Sequence, residues 1–242
     1  MIQRATVGMT ALVCAALIAA SGANASTLTE ISFNGGPLVP VCTAPSGTSC
    51  SGSASGAGVL VDTVGATSNA PGTATGANML SSVLKITNSS SASVMLRLLA
   101  GVTDFLLPSG GPLDLFSHIG TTAPVGSSAN LLAFTSSVDA ANGQNTFPGT
   151  SNAPTLNPDL TSGSSSKDSD LLIASLAAPY SMTERFDFTL GAGTTVNFSA
   201  STILTPAPVI PLPAALPLFA TGLGALGLLG WRRKRKVQST KG

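Results

Sequence analysis

The chain predicts an all-β fold, an antiparallel β-sandwich of the Greek-key or jelly-roll type, set between an N-terminal signal peptide and one C-terminal transmembrane helix. Three observations carry this expectation. Apolar and polar residues alternate with a period of two in several short runs, clusters of Gly, Pro, Ser and Asn punctuate those runs, and no long segment between the chain ends has a 3.6-residue period.

The order of elements begins with Arg4, an apolar run from Val7 to Ala20, and then Ala23-Asn24-Ala25 before Ser26. A basic start, an apolar stretch and a small-x-small site are the three parts of a secretory signal peptide, so residues 1–25 read as a leader for Sec export, cut by signal peptidase after Ala25. A buried core helix over residues 7–20 would need neither the basic start nor the cleavage pattern. Leu12-Val13-Cys14 is similar to a lipoprotein box, but the apolar run before it is short and Val13 is bulky where a small residue is needed, which argues against lipidation at Cys14.

Residues 26–205 are the expected ectodomain, about 180 residues and enough for one antiparallel core. Within 181–190, Met182, Phe186, Phe188 and Leu190 alternate with Thr183, Arg185, Asp187 and Thr189. Gly191-Ala192-Gly193 supplies a turn, after which Val196, Phe198 and Ala200 alternate with Thr195, Asn197, Ser199 and Ser201. The two runs are expected to pair as a hairpin with a common apolar face. A second hairpin is expected from 79–88, with Leu84 and Ile86 against Lys85 and Thr87, through Asn88-Ser89-Ser90-Ser91 into 93–102 with Val94, Leu96 and Leu98. Shorter apolar runs at 58–64, 130–134 and 170–176 raise the expected count to about seven strands. The Gly-, Ser- and Pro-rich stretches 46–58, 65–76 and 142–166 read as loops or tethers, and no internal repeat is visible.

Cysteine usage fits export. Cys14 leaves with the leader, and the remaining pair, Cys42 and Cys50, spans a short Gly/Ser/Thr/Pro segment suited to a local disulfide worth about 2 to 3 kcal/mol. A metal or redox pair would need further ligands or a two-residue spacing. Charge separates the chain into parts: Lys85, Arg97, Lys167 and Arg185 are the ectodomain's only cations, against all ten acidic residues, a formal charge of −6. An acidic domain repels phosphate backbones, which excludes nucleic acid as the expected partner.

Catalytic patterns are sparse. His118 is the single histidine and has no second one with which to build a zinc site; no Gly-x-Ser-x-Gly elbow is present, and Gly52-Ser53-Ala54-Ser55-Gly56 is one position off it. A surface or loop position is expected for His118. Asp168-Ser169-Asp170, with Asp159 upstream, is the weak candidate for a calcium loop, set against the reading of a solvated acidic loop. Glu184 shares the face of Met182 and Phe186 by parity and is expected at the sheet margin, paired with a cation. Carbohydrate recognition by ring stacking has little material, since Tyr180 is the only tyrosine and Trp231, the only tryptophan, lies in the C-terminal apolar span.

That C-terminal segment, 206–236, has three parts: Pro206-Ala207-Pro208-Val209-Ile210-Pro211-Leu212-Pro213, an apolar span from Ala214 to Trp231, and the cluster Arg232, Arg233, Lys234, Arg235 and Lys236. A span near 20 apolar residues reaches across a bilayer as a helix, and the cations after it stay cytoplasmic along with the short tail 237–242. Val209 through Phe219, followed by Gly222-Leu223-Gly224-Ala225-Leu226-Gly227-Leu228-Leu229 and the basic cluster, resembles the PEP-CTERM class of sorting signals, nearest to the variant with a Val-Pro-Leu-Pro-Ala core. Leu212 stands where the commoner form has glutamate, and Ile210 interrupts the Val-Pro step.

The resemblance implies a sorting motif of Val209, Pro211, Leu212, Pro213 and Ala214. It also implies a precursor held transiently in the inner membrane of a Gram-negative bacterium, processing by an exosortase, and arrival at the cell surface or extracellular matrix of a cell that makes exopolysaccharide. A plain membrane anchor is the alternative, although Pro217 and the glycines 224, 227 and 230 suit a segment that another helix approaches. The functional expectation is a non-enzymatic exported surface or matrix protein associated with exopolysaccharide or biofilm, with no cofactor. The alternative is a calcium- or glycan-binding ectodomain permanently anchored in the membrane.

Overall fold

Twelve strands form among the described residues, with alternating burial clearest in β4, β7 and β12: β1 (Thr27–Phe33), β2 (Val39–Ala44), β3 (Ser49–Gly56), β4 (Val59–Ser68), β5 (Ala77–Asn88), β6 (Val94–Phe105), β7 (Leu113–Thr122), β8 (Asn130–Asp139), β9 (Ser151–Asn152), β10 (Ser164–Ile173), β11 (Tyr180–Leu190) and β12 (Thr195–Pro206). The structure, a computed structural model, describes residues 24–122, 130–160 and 163–208, with helical positions at Phe219, 221–224 and Leu226. The chain divides into two compact units, Met1–Pro206 and Ala207–Gly242, and every strand belongs to the first. Residues 1–23 of the expected leader 1–25, the sorting motif from Val209 to Ala214 and the basic cluster from Arg232 to Lys236 lie outside the described residues. Among the described residues no helix is long and apolar enough to cross a membrane.

Two six-stranded antiparallel sheets face each other as a sandwich, one in the order β2-β1-β6-β11-β8-β9 (sheet A) and the other β10-β7-β12-β5-β4-β3 (sheet B). From β5 onward the chain crosses between the sheets almost every time a strand ends, so neighbours in sequence face one another across the core. This corrects both expected hairpins. β11 pairs with β6 and β8, whereas β12 pairs with β5 and β7. The common apolar face is real, but it belongs to strands in opposite sheets. Period-two alternation identifies which side chains point inward and says nothing about which backbone supplies the hydrogen bonds.

Asn88 shows why the two connections become arches. Its side chain is fully buried and its Nδ2 donates to the carbonyls of Ala92, Leu190 and Gly191 at 2.8, 2.9 and 3.0 Å. Its backbone N donates to Thr194 O and its O accepts from Gly193 N, both at 2.9 Å. One amide therefore ties the β5–β6 connection to the β11–β12 connection, satisfying carbonyls that a chain turning between sheets leaves without ladder partners.

The strand count exceeds the expected seven because some strands lack large apolar residues. β3 reads Ser-Cys-Ser-Gly-Ser-Ala-Ser-Gly and falls within a stretch expected as loop. Its small inward residues are a packing need: a Cβ on Gly52 would come within 2.4 Å of Val41 O, and one on Gly56 within 2.7 Å of the Phe33 ring. The expected disulfide joins Cys42 to Cys50, with Cα atoms 5.7 Å apart, and so links β2 of sheet A to β3 of sheet B.

Inside, apolar side chains form two clusters. One holds Phe134, Phe186, Phe188 and Phe198, with Phe186 4.9 Å from Phe134 and 4.6 Å from Phe198 between ring centroids. The other holds Phe105, Tyr180, Met79, Leu115 and Leu204, where the Tyr180 hydroxyl donates to Leu107 O at 3.1 Å. Tilted and stacked rings at these separations add about 0.5 to 1.5 kcal/mol per pair to the burial itself.

Replacement Asn88→Ala is expected to cost about 3 kcal/mol, because it strands buried carbonyls at the junction of the two arches. Urea unfolding of the variant measures this, and a loss below about 1 kcal/mol would contradict the role given to the amide.

Candidate functional site

Between the two apolar clusters the core changes character. Polar residues take inward positions here on six strands: Thr29 on β1, Ser81 on β5, Ser117 on β7, Ser136 on β8, Glu184 on β11 and Thr202 on β12, each at most 1 % exposed. Registers set Thr29, Glu184 and Ser136 in one row of sheet A and Thr202 and Ser117 in one row of sheet B, with Ser81, opposite Ala200, one inward position away. Thr202 Oγ1 donates to Glu184 Oε1 at 2.7 Å across the sandwich, and the hydroxyls of Ser117 and Ser136 meet in a second cross-sheet hydrogen bond. Glu184 Oε2 and Ser81 Oγ have no partner of normal hydrogen-bond geometry. Burial raises the Glu184 pKa to about 7, opposed in part by the neighbouring Ser81 and Thr202 hydroxyls. The expected margin position with a cation partner is thus corrected: Glu184 sits at the centre of the core among hydroxyls. A lone buried carboxyl with no second acid or base is not an acid–base pair.

His118 lies on β7 rather than in a loop, with its ring turned outward and hydrogen-bonded to Asp168 directly across on β10. Among the described residues no serine hydroxyl hydrogen-bonds this ring. Asp168 and Asp170 share the outer face of β10 as strand residues, not as a loop, and Asp159 precedes that strand with its backbone N donating to Ser165 Oγ at 3.1 Å. Among the described residues no group of three or more His, Cys, Asp or Glu side chains is placed to hold a metal ion.

The outer face of sheet B presents a surface that composition alone does not disclose. Ser166, Gly120, Ser199, Ser82, Gly65 and Ser51 are consecutive partners across all six strands. Five strand spacings of about 4.8 Å make this row about 24 Å long. Taller neighbours border it: Asp168, His118 and Leu80 lie in the adjacent row. Two surface hollows of about 540 and 460 Å³ lie along it and share Ser82. The row is a shallow trough floored by hydroxyls and backbone, free of charge.

Sheet A has a different exterior. The segment 139–150 lies flat on one half of it: Gln144 Nε2 donates to Gly101 O at 2.8 Å, Asn145 Nδ2 to Glu30 Oε2 at 2.8 Å, and Ser181 Oγ to Gly143 O at 2.7 Å. Gly101 permits the approach, for a Cβ there would fall 2.1 Å from Asn145 Oδ1. The other half is open and holds a cavity of about 430 Å³ bordered by Arg97, Arg185, Asp187, Leu38 and Met95. Arg97 Nε donates to Asp187 Oδ1 and Arg185 Nε to Asp187 Oδ2, while the Arg185 guanidinium lies 4.7 Å above the Phe147 ring. Sequence reading missed this constellation. The available clue was parity, because Arg97, Arg185 and Asp187 occupy outward positions, but their meeting depends on the β6–β11 pairing across 90 residues.

No protein-family model and no curated protein matches the chain. Solved structures similar to it include the carbohydrate-binding module TmCBM61 in complex with β-1,4-galactotriose, at 10 % identity and TM-score 0.31, covering 57 % of this chain and 85 % of that one. A family 11 carbohydrate-binding module from Clostridium thermocellum in complex with a mixed-linked tetrasaccharide matches at 13 % identity and TM-score 0.28, covering 74 % and 96 %. The K3 cleaved adhesin domain of Lys-gingipain from Porphyromonas gingivalis w83 matches at 9 % identity and TM-score 0.29, covering 53 % and 74 %. Overlap at this level carries no argument about what this chain binds.

The buried carboxyl makes stability pH-dependent with a definite sign. A folded-state pKa of about 7 against an ordinary 4.5 means that the folded protein holds the proton more tightly. The contribution is fully present below about pH 4.5, declines as pH rises to about 7, and is then lost, a change of about 3 kcal/mol. Urea unfolding from pH 4 to pH 8 is expected to show this decline in the wild type and a flatter profile in Glu184→Gln; identical profiles would refute it.

Proposed function

We propose that this chain is a non-enzymatic exported component of the cell surface or extracellular matrix, whose sandwich holds neutral exopolysaccharide along the outer face of sheet B. The uncovered trough of Ser166, Gly120, Ser199, Ser82, Gly65 and Ser51 is the observation that supports this reading best. Hydroxyls donate and accept with little desolvation cost, so a polyhydroxylated chain exchanges water for protein on nearly equal terms. Without exposed rings on which to stack sugars, each contact is weak and retention comes from many molecules along one polymer.

Delivery follows the order of the sequence. The leader takes the chain through the Sec machinery, the apolar span holds it in the inner membrane, and an exosortase acting at the motif around Val209 to Ala214 releases it to the surface or matrix. The passive role suits an acidic, low-charge ectodomain closed by a disulfide between its sheets. It needs no metal, cofactor or nucleic acid.

Two measurements test the proposal. Full-length protein in mild detergent is expected to be retarded in gels containing the producing strain's neutral exopolysaccharide. Gly120→Val fills the trough where a Cβ meets only Ser199 Oγ at 3.7 Å and His118 Nε2 at 3.8 Å, so it should remove the retardation while leaving stability within about 1 kcal/mol. Unchanged retardation in a folded variant would eliminate sheet B as the binding face. For sorting, intact mass of the cell-derived protein with and without the exosortase is decisive: a product that runs to Gly242 in both strains would replace processing with a permanent anchor.

A further inference from the structure

We propose that the open cavity on sheet A, where Arg97 and Arg185 flank Asp187, binds the carboxylate of a uronic-acid unit in an extracellular polysaccharide. The proposal rests on the reading of the ectodomain as a polysaccharide-binding module, but it uses the opposite sheet and a different chemistry.

Geometry carries it. Asp187 lies directly across from Arg97 on β6 and two residues beyond Arg185 on β11, and all three side chains leave the same face of the sheet. Each arginine spends its Nε on one oxygen of the shared carboxylate, which orients both guanidiniums. Their terminal nitrogens have no hydrogen-bond partner among the described residues. Two cations against one anion leave a local surplus of one positive charge in a domain whose formal charge is −6. Of four ectodomain cations, two are gathered here. Guanidinium forks match a carboxylate in two parallel hydrogen bonds, a geometry a lysine does not offer.

The walls are built as firmly as the floor. Asn34 pins the β1–β2 turn to β6, its backbone N donating to Met95 O at 2.8 Å and its Oδ1 accepting from Met95 N at 3.0 Å, while Ser32 Oγ donates to Gly36 O at 2.6 Å. That turn carries Leu38, and β6 carries Met95, 56 % exposed beside the arginines. An apolar wall next to an oxyanion fork fits a ring with a carboxylate at one edge and C–H groups on its face. A volume of about 430 Å³, open to solvent, accepts one such ring with the chain continuing past it. Dense polyanions are disfavoured by Glu30 two strands from Arg185 and by the domain's overall charge, so the fitting polymer carries its carboxylates far apart.

The test is a titration of the full-length chain in mild detergent with methyl glucuronide, methyl glucoside and N-acetylglutamate. Saturable binding of the glucuronide is expected, at least about tenfold tighter than either other compound. Arg97→Gln with Arg185→Gln should weaken it by about tenfold or more. Met95→Asp serves as a second probe where the double variant fails to fold, because it sets a carboxylate on an exposed wall position, and it should abolish binding with the melting temperature unchanged. Absence of binding to the wild type, equal binding of glucuronide and glucoside, or binding unaffected in folded variants would overturn the proposal. N-acetylglutamate binding as tightly as the glucuronide would overturn the assignment to a sugar. Retention of neutral polysaccharide and its loss in Gly120→Val are read separately, so sheet B can fail while this site stands, and the reverse.

Discussion

A hydrogen bond between Thr202 and Glu184 in the middle of the sandwich constrains everything around it. A carboxyl with no exposed surface tolerates only a position where hydroxyls reach it, and those come from the facing sheet. The relative stagger of the two sheets is therefore not free to slide. A shift of two residues along β12 would put Ala200 or Leu204 opposite the carboxyl and leave Thr202 among apolar rings. Each apolar cluster gains its boundary from this band, with Phe134, Phe186, Phe188 and Phe198 in one and Phe105, Tyr180, Met79 and Met182 in the other. Apolar residues in its place would bury more surface, but they would weaken the preference for one stagger over another.

Locking the sheets also fixes what they show to solvent. Because side chains alternate, the same registers that align the inner polar band align the outer rows, and on β5 the Ser/Gly trough lies one residue from that band, since Ser82 follows Ser81. Small residues on the outside of sheet B cost little in stability, since that face is uncovered and needs no packing. Sheet A differs because the segment 139–150 spends its polar groups on fastening itself to the strands, and it leaves the arginine pair at its edge.

Much of the inward pattern was legible. Met182, Phe186, Phe188, Leu190, Val196 and Phe198 all point into the core as alternation required. The partners were not legible, because the turn after Leu190 looks the same whether the chain folds back within a sheet or crosses to the other. Asn88 decides the matter through contacts more than 100 residues away in sequence, which no local pattern encodes. β3 escaped notice since its inward residues are chosen for smallness, and a run of Ser and Gly reads as loop when no neighbour is known. Glu184 was assigned the right face by parity and the wrong company, for its hydroxyl neighbours come from other strands. The disulfide was readable because the spacing is local, although its role as a link between sheets was not.

Charge ties these parts together. With few cations to spend, a chain that scatters them gains only weak surface ion pairs, as Lys85 does with Asp62 at 3.9 Å. Placing two on one carboxylate instead creates a site with unused donors, at the expense of the repulsion between neighbouring guanidiniums that Asp187 offsets. The opposite sheet is nearly free of charge along its trough. A single polymer that suits both faces would have long neutral stretches, held by many weak hydroxyl contacts, and isolated carboxylates that set where along the chain each molecule stops. On the proposed reading the neutral face would supply retention and the charged one register, so loss of either would leave a different, separable behaviour.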